Sequence, residues 1–116
     1  MSTVSTVREV FKHGVLAEWA ALLSSENGDP EGLSQWDKQC VQVTGTFDTA
    51  TITIQGSNDG TNWATMNDET GSALTFTAAG LKSILERPLF VRPIAGAGAG
   101  GVNVAVRILA TRSSGR

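Results

Sequence analysis

The side chains able to do chemistry in this 116-residue sequence are few and scattered. There is one histidine, His13, one cysteine, Cys40, and no tyrosine. A Cys40–His13 pair is the one thiol–imidazole combination the composition permits, and it would work only with the cysteine held as thiolate by a base within hydrogen-bond reach. Cys40 lies between Gln39 and Val41, a setting without signs of activation, and reads as a small structural residue. No HExxH, CxxC, Walker or nucleophile-elbow pattern occurs. The expectation is a chain with no catalytic residues, and so not an enzyme.

The acidic residues Asp59, Asp68 and Glu69, joined by Asp48, are candidates for calcium ligation. Calcium loops place Asp or Asn at alternate positions and close with a Glu, and that spacing is missing. Turn formation explains these residues better, and no metal or other cofactor is expected. The run Ala95–Gly101 contains the GxG spacing of a nucleotide-binding loop, but no helix pattern follows it, so that reading fails on context. It reads instead as a long mobile hairpin loop, with a flexible arm or a tip that approaches a partner backbone as the functional alternative. Three tryptophans, Trp19, Trp36 and Trp63, could form a sugar platform if exposed. In a chain with four Phe they read first as core and interface anchors. Trp36, set in the polar stretch Leu33–Lys38, is the leading interface anchor.

The elements that must carry these residues are strands. Cys40–Thr44 alternates with Val41 and Val43 inward, which puts Cys40 on the Gln42 face. Ala50–Gln55 alternates with Ala50, Ile52 and Ile54 inward, and Gly45–Thr49 between the two reads as a hairpin turn. Val102, Val104, Val106 and Ile108 share one face of a third strand, with Asn103, Ala105, Arg107 and Leu109 on the other. Weaker strands are expected at 3–11, 61–66, 73–77 and 84–92, the last limited to an edge or a short span by Pro88 and Pro93. For 13–23 a strand to about Trp19 is favoured over a short helix. Turn clusters at 27–30, 56–60 and 69–72 punctuate the pattern, with Asn58-Asp59-Gly60 expected to close a tight hairpin. The expected fold class is all-β, a β-sandwich or jelly roll of about seven or eight antiparallel strands with extended terminal arms. Residues 1–116 form one domain, with an N-terminal arm or strand at 1–12, the Gly/Ala loop at 95–101 and a C-terminal arm at 110–116.

Charge bounds the partners. Only 17% of residues are charged and the net charge is −2, against a usual charged share of about 25%. Neutral polar side chains fill the difference, and these cost less to bury against a neighbour than Lys or Glu do. The basic residues form no stripe, which argues against a nucleic-acid partner. No apolar run approaches the ~20 residues of a membrane helix, and no secretory leader is recognisable. The expectation is a protein made in the cytoplasm and kept or assembled there, without a membrane partner.

The run Val41-Gln42-Val43-Thr44-Gly45-Thr46-Phe47, followed by Thr51-Ile52-Thr53-Ile54-Gln55-Gly56-Ser57-Asn58-Asp59-Gly60-Thr61-Asn62-Trp63, resembles small virion proteins of tailed bacteriophages. So do Leu74–Gly80 and Phe90–Pro93. The resemblance implies a virion structural protein, a capsid decoration or cement protein on the outer shell. Its implied partners are the major capsid protein and copies of itself, as a trimer or dimer. A tail, neck or head-fibre module is the alternative, and a carbohydrate-binding module a third. In the decoration reading the two arms are the clamps, with Arg8, Lys12, Arg112 and Arg116 facing acidic shell surface.

Overall fold

Alternation of branched apolar and hydroxyl side chains builds strands with one dry face, and two such faces packed together build this molecule. The computed structural model describes residues 14–111, and residues 3–4 and 7–11 as strands. The strands are β1 (Thr3–Val4), β2 (Val7–Phe11), β3 (Gly14–Leu22), β4 (Asn27–Gly28), β5 (Lys38–Thr46), β6 (Ile52–Ser57), β7 (Ala64–Thr65), β8 (Thr75–Phe76), β9 (Gly80–Ser83), β10 (Phe90–Ala95) and β11 (Asn103–Thr111). No helix occurs among the described residues.

The first sheet runs β1-β4-β10-β6-β7, with β8 also pairing β6. The second runs β2-β3-β11-β5-β9. All pairings are antiparallel except the short parallel β1–β4 contact. The fold is a β-sandwich. Seven of its strands have four residues or more, β2, β3, β5, β6, β9, β10 and β11, and the others are two-residue pairings at the margins.

The core lies between the sheets. Val41 and Val43 of β5, Ile52 and Ile54 of β6, and Val104, Val106, Ile108 and Ala110 of β11 are all buried, together with Val15, Ala17, Trp19 and Leu22 of β3. Each large apolar side chain moved from water into this layer stabilises the fold by roughly 1.5–3 kcal/mol before chain entropy is counted. Residues 14–22 form a strand rather than a short helix because β2 and β11 flank them on both sides.

Three features of the frame differ from expectation. Residues 45–49 do not make a hairpin, because β5 and β6 belong to opposite sheets. The chain turns a corner there, with Ala50 N–H donating to Phe47 O at 2.8 Å. Gly45, Asp48 and Thr49 all take positive φ (122°, 43° and 71°). A Cβ at Gly45 would collide with the Asn103 carbonyl, so glycine is required by space as well as by angle.

The Gly/Ala run is likewise neither a hairpin loop nor loose. It carries the chain from β10 to β11, across the sandwich, and is laced to its neighbours. Gly96 N–H donates to Thr51 O, Ala99 N–H to Asp48 O and Gly98 N–H to Ser24 Oγ, at 2.9, 2.9 and 3.0 Å. Gly101 N–H donates to Asp48 Oδ2 at 2.7 Å.

Pro93 does not confine its strand to an edge, since β10 sits between β4 and β6. Val91 N–H and Ala95 N–H donate to Glu31 and Glu26 carbonyls on the β4 side, so the Pro93 nitrogen faces that side too. The ladder with β4 is a single residue pair, Ile94 with Asn27. Proline therefore occupies a gap where no N–H is needed. Its ring lies against Gly28, where a Cβ would come within 2.7 Å of it and 2.6 Å of the Trp19 indole.

Candidate functional site

The Gly-Ser-Asn-Asp-Gly-Thr-Asn-Trp segment is a wide β6–β7 connection rather than the tight turn expected, because pairing resumes only at Ala64 opposite Gly56. Asp59 ties it together. Its Oδ1 accepts from Ser57 Oγ, Thr61 N–H and Asn62 N–H, each at 2.8 Å, and its Oδ2 accepts from Asn62 Nδ2 at 2.8 Å. Gly60 takes the positive φ (77°) that completes the loop. The donors, led by the Asn62 amide N–H, hold the Asp59 carboxyl far below the usual carboxylate range.

Asp68 does the same at 68–72. Its Oδ1 accepts from Thr70 Oγ1 at 2.6 Å and from Thr70 and Ser72 N–H at 2.9 and 3.1 Å. The Thr70 hydroxyl is the main reason its pKa is lowered. Asp48 sits at the opposite connection, bonded to Gly101. The candidate calcium ligands thus lie on three separate turns, at Asp48, at Asp59 and at Asp68–Glu69. Among the described residues no group of three or more His, Cys, Asp or Glu is placed to share an ion.

The loop leads into an aromatic–cation pair on the outer face of the first sheet. Arg92 lies over the Trp63 ring with Cζ 4.1 Å from its centroid. Its Nε and Nη2 donate to Gln55 Oε1 at 3.1 and 3.0 Å. Partial burial lowers the Arg92 pKa, and the guanidinium remains charged at neutral pH. Trp63 is half-buried. It is thus the tryptophan nearest to a surface role, whereas Trp19 and Trp36 belong to the core.

The interface-anchor expectation for Trp36 is corrected: only 8% of it is exposed. A turn tucks it inward, with Trp36 N–H donating to Leu33 O and the buried Gln39 Nε2 bonding that same carbonyl at 2.9 Å. A polar sequence around a tryptophan gave no sign of this, because the polar residues are spent on the turn.

The outer face of the second sheet is arranged in cross-strand rows. Leu16, Leu109, Cys40 and Ser83 form one row, and Glu18, Arg107, Gln42 and Leu81 the next. Arg107 Nη2 meets Glu18 Oε2 at 2.8 Å, so the row's opposite charges are matched within the chain. Leu81 is 64% exposed and Leu109 is exposed as well. Cys40 is half-buried, and burial, aided by Glu69, pushes its thiol pKa up. That is the opposite of activation. His13 lies outside the described residues.

Of the arm cations, Arg8 falls in β2, opposite Ala17 of β3. Lys12, Arg112 and Arg116 lie outside the described residues. Two polar fixtures were not foreseen. Arg87 donates from Nε and Nη2 to Asp37 O, and from Nη1 to the carbonyls of Ile84, Leu85 and Glu86. Glu86 accepts from Asn67 N–H and Nδ2 at 2.8 and 2.7 Å. Although burial pushes the Glu86 carboxyl up, these bonds bring it below its ordinary value. Both fixtures join residues distant in sequence, and no local pattern announces them.

The fold has a solved counterpart. It is similar to the SPBc2 prophage-derived protein YomS, with a TM-score of 0.60 over 88% of this chain and 99% of that one, at 11% sequence identity. A weaker likeness, TM-score 0.44 at 7% identity, links 91% of this chain with 83% of protein NMB1881 from Neisseria meningitidis. No protein-family model matches the sequence. No curated protein matches it significantly.

Proposed function

We propose that this chain is a structural component of a tailed-phage particle, and specifically a capsid decoration protein that binds the outer shell between major capsid subunits. The observation that carries the phage assignment is the fold shared with a prophage-derived protein across nearly the whole of both chains. The decoration role rests on the resemblance of the 41–63 run to small virion proteins and on the character of the surface. The outer face of the second sheet is suited to contact with a protein neighbour. It offers exposed Leu81 and Leu109, neutral Gln42 and Ser83, and a charge pair already neutralised within the chain. Covering those residues strands no charge, because the ion pair among them is already matched within the chain.

The mechanism is cementing. A protein that binds the assembled shell but not free capsid subunits stabilises the shell by mass action. Many copies, themselves joined as a symmetric dimer or trimer, multiply a modest contact. Arg8 of β2, with Lys12, Arg112 and Arg116, forms the proposed set of clamps onto acidic shell surface. The protein is accordingly made in the host cytoplasm and ends on the virion, and no catalytic step is part of this role.

Gold-labelled antibody against the chain, applied to purified particles and viewed by electron microscopy, tests this directly. Labelling spread over the head, with copies per particle near those of the capsid protein, is the expected result. Labelling confined to a tail, a neck or one vertex overturns the decoration role and leaves a module of that other structure.

A further inference from the structure

A cleft of about 440 Å³ opens between the β6–β7 loop and the 86–88 segment, within the ~300–1,000 Å³ range of small-ligand sites. We propose that it binds one neutral pyranose ring. This site is separate from the docking face of the second sheet and does not depend on where the protein sits in a particle.

The ligand class follows from what the cleft offers. Ala64 and Pro88 form its apolar patch, and Gly56 and Met66, which also line it, are buried. Gly56, Met66 and Pro88 are packed tightly enough that a Cβ at Gly56 would fall 2.5 Å from Pro88 Cγ and 2.6 Å from Met66 Sδ. Around that patch stand the exposed side chains of Asn58, Asn62 and Thr65. Asn58 uses its Oδ1 to accept from Leu89 N–H at 2.9 Å. Asn62 uses its Nδ2 to donate to Asp59 Oδ2 at 2.8 Å. Among the described residues this leaves Asn58 Nδ2 as a donor and Asn62 Oδ1 as an acceptor, beside the Thr65 hydroxyl. Vicinal sugar hydroxyls present that mixture of donors and acceptors, while the axial C–H face of a pyranose suits the apolar patch.

Charge is spoken for on both sides. The Arg87 guanidinium is directed to backbone carbonyls and the Glu86 carboxylate to Asn67. An anion would have to compete with these carbonyls for the Arg87 donors and a cation with Asn67 for Glu86, whereas a neutral ligand competes with neither.

The walls are also held in advance. Asp59 knots one side, Arg87 pins the other, and the Asn58–Leu89 bond ties the two together. A preformed site spends less of its interaction energy on ordering.

The test is an amide chemical-shift titration of the full chain with free neutral hexoses and N-acetylhexosamines, their methyl glycosides and an anionic uronic acid. Saturable shifts at Gly56, Asn62, Thr65 and Met66 with a millimolar dissociation constant are expected for a neutral sugar. Equal response to a methyl glycoside assigns a glycan end, and response to reducing sugars alone assigns a free sugar; either supports the proposal. Ala64→Phe, at an exposed position lining the cleft, should weaken binding at least about tenfold with an unchanged melting temperature. Asn62→Ala serves as a second, smaller change should the first disturb folding. No response to any neutral sugar, a preference for the uronic acid, shifts gathered at Trp63 and Arg92 instead, or binding that survives both variants would each overturn it.

Discussion

Replacing Gly28 by alanine adds one methyl group against two packed core side chains. The new Cβ would lie 2.6 Å from Trp19 Cδ1 and 2.7 Å from both Cδ and Cγ of Pro93, against the ~3.5–4.0 Å at which carbon atoms attract. Each overlap is therefore about 1 Å, and neither neighbour yields easily. Trp19 is wholly buried, and its indole Nε1 donates to Asp29 O at 3.0 Å. Pro93 is locked in β10 opposite Ile54. Overpacking of a dense core typically costs ~1–3 kcal/mol, and two rigid partners place this case in the upper half, about 2–3 kcal/mol. At roughly 4 °C per kcal/mol for a domain of this size, the melting temperature should fall by about 8–12 °C. Thermal unfolding followed by tryptophan fluorescence reads this directly. Gly100→Ala is the control, because nothing lies within 4 Å of a Cβ there, and its transition should not fall. Adding Pro93→Ala to Gly28→Ala should recover part of the loss, as expected for residues in direct contact. A Gly28→Ala protein that melts with the wild type would refute the crowding argument.

Acid should destabilise the fold through the turn carboxylates. Asp59, Asp68 and Glu86 all have folded pKa values below their unfolded ones, so their contribution is complete above the unfolded values of ~3.9 and ~4.3 and is lost as pH falls below them. Melting temperature plotted against pH should be flat from neutrality to about pH 5 and then decline. Asp59→Asn should flatten part of that decline, and an unchanged profile would count against the knot. Arg107→Ala should cost no more than about 1 kcal/mol, less in high salt, because the pair with Glu18 is partly exposed; a larger, salt-independent loss would mean its stem packs more than its charge pairs. Cys40 should react with a thiol-specific reagent more slowly than a free cysteine at neutral pH, with its rate rising at higher pH, since burial raises its pKa; fast labelling at pH 7 would contradict this.

Period-two alternation was enough to orient the three best strands. Val41 and Val43, Ile52 and Ile54, and Val102, Val104, Val106 and Ile108 all face inward as their spacing predicts. Strand pairing was not legible, because a turn cluster says that the chain bends and not whether it returns to the same sheet. That is why 45–49 reads as a hairpin but forms a corner. The four-residue β9 escaped notice because its alternation is short and Leu81 faces solvent. Trp36 was misplaced for a related reason: hydrogen bonds from Gln39 into the 33–36 turn bury a stretch whose composition reads as surface. Asp59 was legible as a turn residue from the Asn-Asp-Gly pattern, while the partners of Arg87, Arg92 and Glu86 depend on long-range register.

The place of β11 governs how this protein is born. It is the eleventh strand in chain order yet lies in the middle of the second sheet, between β3 and β5, pairing Thr111 with Gly14 at one end of the ladder and with Lys38 on the other side. A nascent polypeptide cannot complete that sheet until residue 111 has left the ribosome. Until then β3 and β5 present bare edges to other chains, the hazard of late-closing β topologies. Products terminated before residue 111 should therefore fail outright instead of making a weakened copy.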